Sequence, residues 1–241
     1  TTPLVMDWDT VYLENSANDF HHTVSRYGYA GVTVFTQNTH LNPQIRNNLF
    51  QYNIMGIQLT LLGLGDVTSI IANNQLKQNE YGLYTSVPSC YLTSPYIGYS
   101  GTAMPVMNAN TFEGYAGATG HDDFPIYLGG TSEPVWGTGV NANTFTNHTH
   151  PAIGLGGQWC ASQTHSPTVW QHVAGEAGEI FPYVVLDPLE QDWNSIIQVP
   201  ADTIVKFDYD EGLYIYGLLD LQSTAGHPVI FTSYRDDTYA G

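Results

Sequence analysis

Apolar and polar residues alternate in short runs along the whole chain. The runs are broken every few residues by Gly, Asn or Pro. Residues 7–13, 20–27 and 32–35 read as strands joined by turns at Glu14-Asn15-Ser16-Ala17-Asn18 and at Gly28 and Gly31. Residues 181–186, 203–207, 213–219 and 228–233 read the same way. β-Branched and aromatic runs with a period of two are strand signals. No stretch places apolar residues at i, i+3, i+4 and i+7, so the pattern predicts an all-β fold.

The alternation also repeats. Residues 45–59 recur 26 positions later, from Ile71 to Tyr84: an apolar start, an Asn-Asn pair, a later Asn and a Gly-apolar pair. Asn108-Ala109-Asn110-Thr111-Phe112 returns at an offset of 33 as Asn141-Ala142-Asn143-Thr144-Phe145. Residues 124–130 likewise match residues 151–157. Periods of this size are the mark of a solenoid, in which each repeat is one coil stacked on the last. Each coil needs one inward strand around Ile45 or Ile71 and another around Ile57 or Leu83. Asn is expected at the corners because it tolerates positive φ and bonds to backbone. Asn48 with Asn74, and Asn53 with Asn79, are then candidate ladders between coils; a ligand site is the other reading of these amides. The wider offset beyond residue 86 predicts loops inserted between rungs, including residues 113–123.

The expectation is a single β-helix domain over residues 1–241. Residues 1–157 form Asn-rich coils, residues 158–180 an irregular excursion with Trp159 and Trp170, and residues 181–241 terminal coils.

Composition narrows the functional classes. Twenty-two acids face five bases, for a net charge of -17. That argues against nucleic acid, which needs clustered Lys and Arg, and suits divalent cations or a saline or acidic setting. No apolar run of about 18 residues is present, so no membrane insertion is expected. A start at Thr1 without Met reads as a processed or trimmed chain. Cys90 and Cys160 are the only cysteines. They read either as one disulfide of an exported protein or as two buried thiols. Asn147-His148-Thr149 is the single glycosylation sequon.

The pattern Ile45-x-Asn47-Asn48-x-Phe50-x-x-Asn53-x-x-Gly56-Ile57 resembles the coils of right-handed parallel β-helix repeat proteins. Residues 199–237, with Phe231-Thr232-Ser233 followed by Asp236-Asp237, are similar to a module of secreted bacterial and archaeal surface proteins. In that module an Asp-Trp strand follows the aspartate-rich loop. Here Asp7-Trp8 stands at the beginning and Asp236-Asp237 at the end, so joining the two restores the order. The resemblance therefore implies one permuted period of a continuous β-helix, placed outside the cell or on its surface. Its partner would be itself, stacked head to tail through Asp7, Trp8, Asp9, Tyr12, Phe231, Tyr234, Arg235, Asp236 and Asp237. Unpaired strand edges at an open end invite that continuation.

Candidate chemistry is thin. Many β-helix proteins are polysaccharide lyases or hydrolases, so a carbohydrate-active enzyme or binding module is the alternative function. Glycosidases need paired carboxylates. Asp122-Asp123 is such a pair on an inserted loop, but an adjacent pair without a partner motif reads better as a solvated or calcium-binding loop. Arg26, Arg46 and Arg235 are scattered. No nucleophile elbow, phosphate loop or zinc-protease motif occurs, and the chain is expected not to be an enzyme. Calcium is the one cofactor expected, at Asp208, Asp210, Glu211, Asp236 and Asp237; a solvated acidic face is the other reading. His148, His150, His165 and His172 lie close in sequence, but their spacing completes no metal set. The many tyrosines, Tyr12, Tyr29, Tyr81 and Tyr84 among them, read as stacking between rungs or as a sugar-binding stripe.

Overall fold

A computed structural model describes all residues except 1, 2, 5, 88, 89, 93–97, 116–122, 163–165, 177, 240 and 241. Asp122 and His165 lie outside the described residues. The chain is an all-β parallel solenoid of about seven turns.

The two clear repeats show how a coil is made. One coil runs through the strands Gln44–Arg46, Leu49–Gln51 and Met55–Leu62; the next through Ile70–Ala72, Gln75–Lys77 and Tyr81–Ser86. Alternation turns Ile45, Phe50 and Ile57 inward, and parallel pairing sets Ile71, Leu76 and Leu83 directly on them. All six are buried to 2% exposure or less. Each such burial stabilises the fold by roughly 1.5–3 kcal/mol. The strand through Phe50 and Leu76 is a third face that the sequence reading did not separate. It is only three residues long, and its inward residue changes type from coil to coil.

Nine strands of the long sheet follow one another from Tyr12–Leu13 through Ala30–Gln37, Phe124–Gly129 and Tyr183–Gln191 to Ile230–Ser233. Its inward column includes Val32, Ile57, Leu83, Ile126, Ile153, Tyr183 and Val205, all nearly or wholly buried.

The corners differ from expectation. Asn48, Asn53, Asn74 and Asn79 do not take positive φ; the residue before each of them does. These are Asn47 (57°), Tyr52 (59°), Asn73 (55°) and Gln78 (51°). The left-handed residue turns the chain, and the next side chain is thereby directed inward, parallel to the axis. Asn48 Nδ2 donates to Asn74 Oδ1 at 3.0 Å, Asn74 Nδ2 to Asn110 Oδ1 at 3.0 Å, and Asn110 Nδ2 to Asn143 Oδ1 at 2.9 Å. A second pair joins Asn53 Nδ2 to Asn79 Oδ1 at 3.1 Å. Each oxygen also accepts a backbone N–H from the preceding coil, as Asn74 Oδ1 does from Asn48 N at 3.0 Å. The ladders thus saturate corner groups that no sheet can reach. Beside them, a Cβ at Gly56 would lie 2.7 Å from the Gly82 carbonyl oxygen and 2.8 Å from Leu76 Cδ2. Close coil-to-coil approach is the reason for the repeated Gly.

Residues 158–180, read as an irregular excursion, carry part of the core. Trp159 and Trp170 are each 1% exposed and meet edge to face with centroids 5.8 Å apart. Thr168–Val169 pairs with Ile196–Val199. Cys90 and Cys160 form a disulfide with a Cα–Cα distance of 5.7 Å, which closes a sequence separation of 70 residues.

Candidate functional site

The two ends of the solenoid are the places where its construction rule stops. At one end Phe20 pairs with Ile45 and, among the described residues, has no strand on its other side. A hollow of about 380 Å³ opens there between Trp8, Val11, Phe20, Val24 and Arg26. Val11 is 40% exposed. Trp8 lies over Gly28 of the next coil and donates its indole N–H to the Arg26 carbonyl at 2.6 Å. Asp7 accepts the Leu4 N–H at 2.9 Å, and Asp9 accepts the Tyr12 hydroxyl at 3.4 Å.

At the other end the inward residues of the last coil stand uncovered. Phe231 pairs with Val205 and Leu221 with Val199; each earlier partner is fully buried, whereas Phe231 is 41% and Leu221 39% exposed. Leu219 and Leu213 are half-buried. The strands Ile230–Ser233 and Leu218–Leu221 leave one edge free. The two groups of junction residues therefore sit at opposite ends and do not meet within one chain. Tyr234 is not at the end face. It folds back along the outside of the long sheet, where its hydroxyl pairs with His150 Nδ1, and burial raises the phenol above its usual value. Arg235 and Asp237 are exposed.

The acidic residues expected to hold calcium fall into two groups, Asp208, Asp210 and Glu211 in one and Asp236 and Asp237 in the other. Asp236 is committed to its own loop: Oδ2 accepts the Thr232 hydroxyl at 2.5 Å, and Oδ1 accepts the Thr238 N–H at 3.0 Å and hydroxyl at 2.5 Å. These bonds hold its carboxyl below the ordinary value. Glu211 shifts the other way. Burial, then the charges of Asp187, Asp208 and Asp210, push it up. Among the described residues, no group of three or more His, Cys, Asp or Glu side chains is placed to hold a metal ion. The described histidines have separate partners: His148 has Asp123, His150 has Tyr234, and His172 has the Thr203 hydroxyl at 3.1 Å. Asn147 is exposed, with φ of 58°.

Asp123 corrects an expectation. It is not on a solvated loop: its side chain is 0% exposed. It accepts His148 Nδ1–H at 3.1 Å, the Thr149 N–H at 2.7 Å and the Tyr115 N–H at 3.1 Å. The His148 ring is 4% exposed, and its Nε2 has no hydrogen-bond partner. Three converging donors make this carboxylate a clamp for the insertion. Nothing in the local sequence shows that they converge.

Two aromatic pairs remain: the first is the stacking between rungs expected for Tyr84, and the second escapes the sequence. On the outside of the long sheet Tyr84 and Tyr127 stack with centroids 4.7 Å apart. Tyr127 reaches over Gly154 and Gly156 to donate to Asp187 Oδ2 at 2.5 Å, and burial plus that acceptor raise its phenol far above the usual range. Near the disulfide, Trp193 and Tyr216 stack at 5.5 Å. They are 23 positions apart and belong to no repeat. Comparison of the chain with family models, curated proteins and solved structures gives no match.

Proposed function

We propose that this chain is a structural module of an extracellular or cell-surface β-solenoid, continued at both ends by further coils. The continuation is a like subunit stacked head to tail or a further stretch of the same polypeptide. One observation carries the reading: at both ends the stacking columns stop with apolar residues uncovered and strand edges unpaired. Natural sheets ordinarily cover or charge such edges. Set end to end, Phe231 and Leu219 of one module would fall on the Phe20 and Val11 end of the next, extending the sheets and filling the hollow beside Trp8. A heterologous contact of this kind does not close and so grows into a fibre or stalk. The motif order, with Asp236-Asp237 preceding Asp7-Trp8 across the join, supports the same register as a permuted period. The disulfide supports an oxidising compartment.

Negative-stain microscopy and sedimentation of the purified 241-residue chain test this. Regular filaments or end-to-end oligomers are expected. Monodisperse monomers of 26.5 kDa at high concentration would overturn it.

A further inference from the structure

A cavity of about 300 Å³ lies beside the Cys90–Cys160 disulfide, lined by Gln158, Glu190, Gln191, Asp192, Trp193 and Tyr216. Trp193 is 69% and Tyr216 50% exposed, yet the two rings are stacked, with 30° between their planes. The wall behind them holds acceptors without a partner among the described residues. Gln191 is 0% exposed. Its Nε2 donates to the Ser195 carbonyl at 3.0 Å and the Leu218 carbonyl at 2.8 Å. Those two bonds fix which end of the amide is which, and they leave Oε1 without a partner. Asp192 Oδ1 accepts the Trp193 N–H at 2.8 Å, while Asp192 Oδ2 is buried with no partner. Glu190 is exposed at the mouth, and Gln158 Nε2 is directed to it at 3.4 Å. Both side-chain amide donors are thus engaged, and among the described residues no Lys, Arg or His lines the cavity.

Buried acceptors left without partners cost stability, so a wall that keeps two of them is suited to a donor from outside. Two carboxylates in a chain of net charge -17 repel an anionic ligand. Aromatic faces attract cations through the ring quadrupole, Trp most strongly. Taken together, the chemistry is acceptor-rich, negative and aromatic.

We propose that this cavity binds an organic cation, a primary alkylammonium group seated on Trp193 and Tyr216 and directed to Asp192, Glu190 and Gln191. The group comes either from a free amine or from a lysine side chain. The site is independent of the end-to-end reading, because it lies at a corner beside the disulfide and uses none of the junction residues.

The test is calorimetric titration of the full chain with cadaverine, with Nα-acetyl-lysine amide and with cellohexaose, read in parallel by Trp fluorescence. Saturable binding of at least one ammonium probe is expected. W193A and D192N each weaken it tenfold or more, while Y84A on the outer face of the long sheet leaves it unchanged. Cadaverine binding alone assigns a free amine, and acetyl-lysine amide binding assigns a lysine side chain. Melting curves check that the variants stay folded; Trp193 is exposed, and D192N keeps the acceptor for the Trp193 N–H. Three results overturn the proposal: no saturable ammonium binding, ammonium binding undiminished in W193A (diffuse attraction to an acidic surface), or binding of cellohexaose alone. Filaments formed normally by W193A leave the structural role standing whichever way this result falls.

Discussion

The coils between Gln44 and Ser86 and the last coils from Tyr183 to Ser233 obey one stacking rule with opposite outcomes. In the first, every inward residue has a coil above and below it, and Phe50 is wholly buried. In the second, Phe231 occupies an equivalent inward register on Val205 and remains 41% exposed. The residue types are alike, and only the neighbour differs. Burial in a solenoid is therefore supplied by adjacency along the axis and not by the coil itself.

The comparison can be broken most forcefully in the middle. Phe50→Ala should cost about 3–5 kcal/mol in chemical denaturation, as other large-to-small core changes do. A loss below about 1 kcal/mol would mean the columns are loosely packed. Replacing both cysteines by Ala should lower stability by about 4 kcal/mol, the chain-entropy value for a loop of this length; equal midpoints with and without reductant would contradict it. Asn74→Ala interrupts a ladder between two coils and strands the Asn48 N–H and the Ile45 carbonyl. A cost of about 2–4 kcal/mol is expected from two orphaned buried groups, and Asn53→Ala, in the shorter pair, should cost less. Phe231→Ala sharpens the contrast. As a dilute monomer the variant should lose less than about 1 kcal/mol, because its ring is half in water already, yet it should abolish end-to-end assembly seen by microscopy.

The smallest effect is electrostatic. Glu211 is raised by burial and by the acids around it. A raised carboxyl favours folding below its unfolded value, and that advantage is lost as pH climbs through the folded value. Glu211→Gln should accordingly give a slight rise in melting temperature at neutral pH that vanishes on acidification below the ordinary glutamate range. A gain that persists in acid would assign the effect to packing instead.

Much of the solenoid was legible because parallel stacking writes the same residue at the same place in successive coils. Ile45 with Ile71 and Ile57 with Leu83 are visible for that reason. The third face was hidden because Ser25, Phe50, Leu76, Phe112 and Phe145 share an inward position but not a residue type. The candidate sites were less legible still. Asp123 gathers donors from Tyr115, His148 and Thr149, and Trp193 meets Tyr216 across a coil. These contacts come from the spatial closing of the turn, and a linear period carries no trace of it. At the corners the ladder residues Asn48, Asn53, Asn74 and Asn79 are legible in the sequence, but the turning residue is not. Within each Asn-Asn pair the first Asn bends the chain and the second bonds along the axis.

That division of labour at the corner has a consequence for how such a molecule can vary. The ladder steps by 26 residues from Asn48 to Asn74, by 36 to Asn110 and by 33 to Asn143, yet its hydrogen bonds stay within 0.1 Å of one another. The rungs act as a ruler that measures height and ignores contour length. Segments of different size can be spliced between rungs while the pitch stays constant, so the outer surface can diversify over a frame that does not.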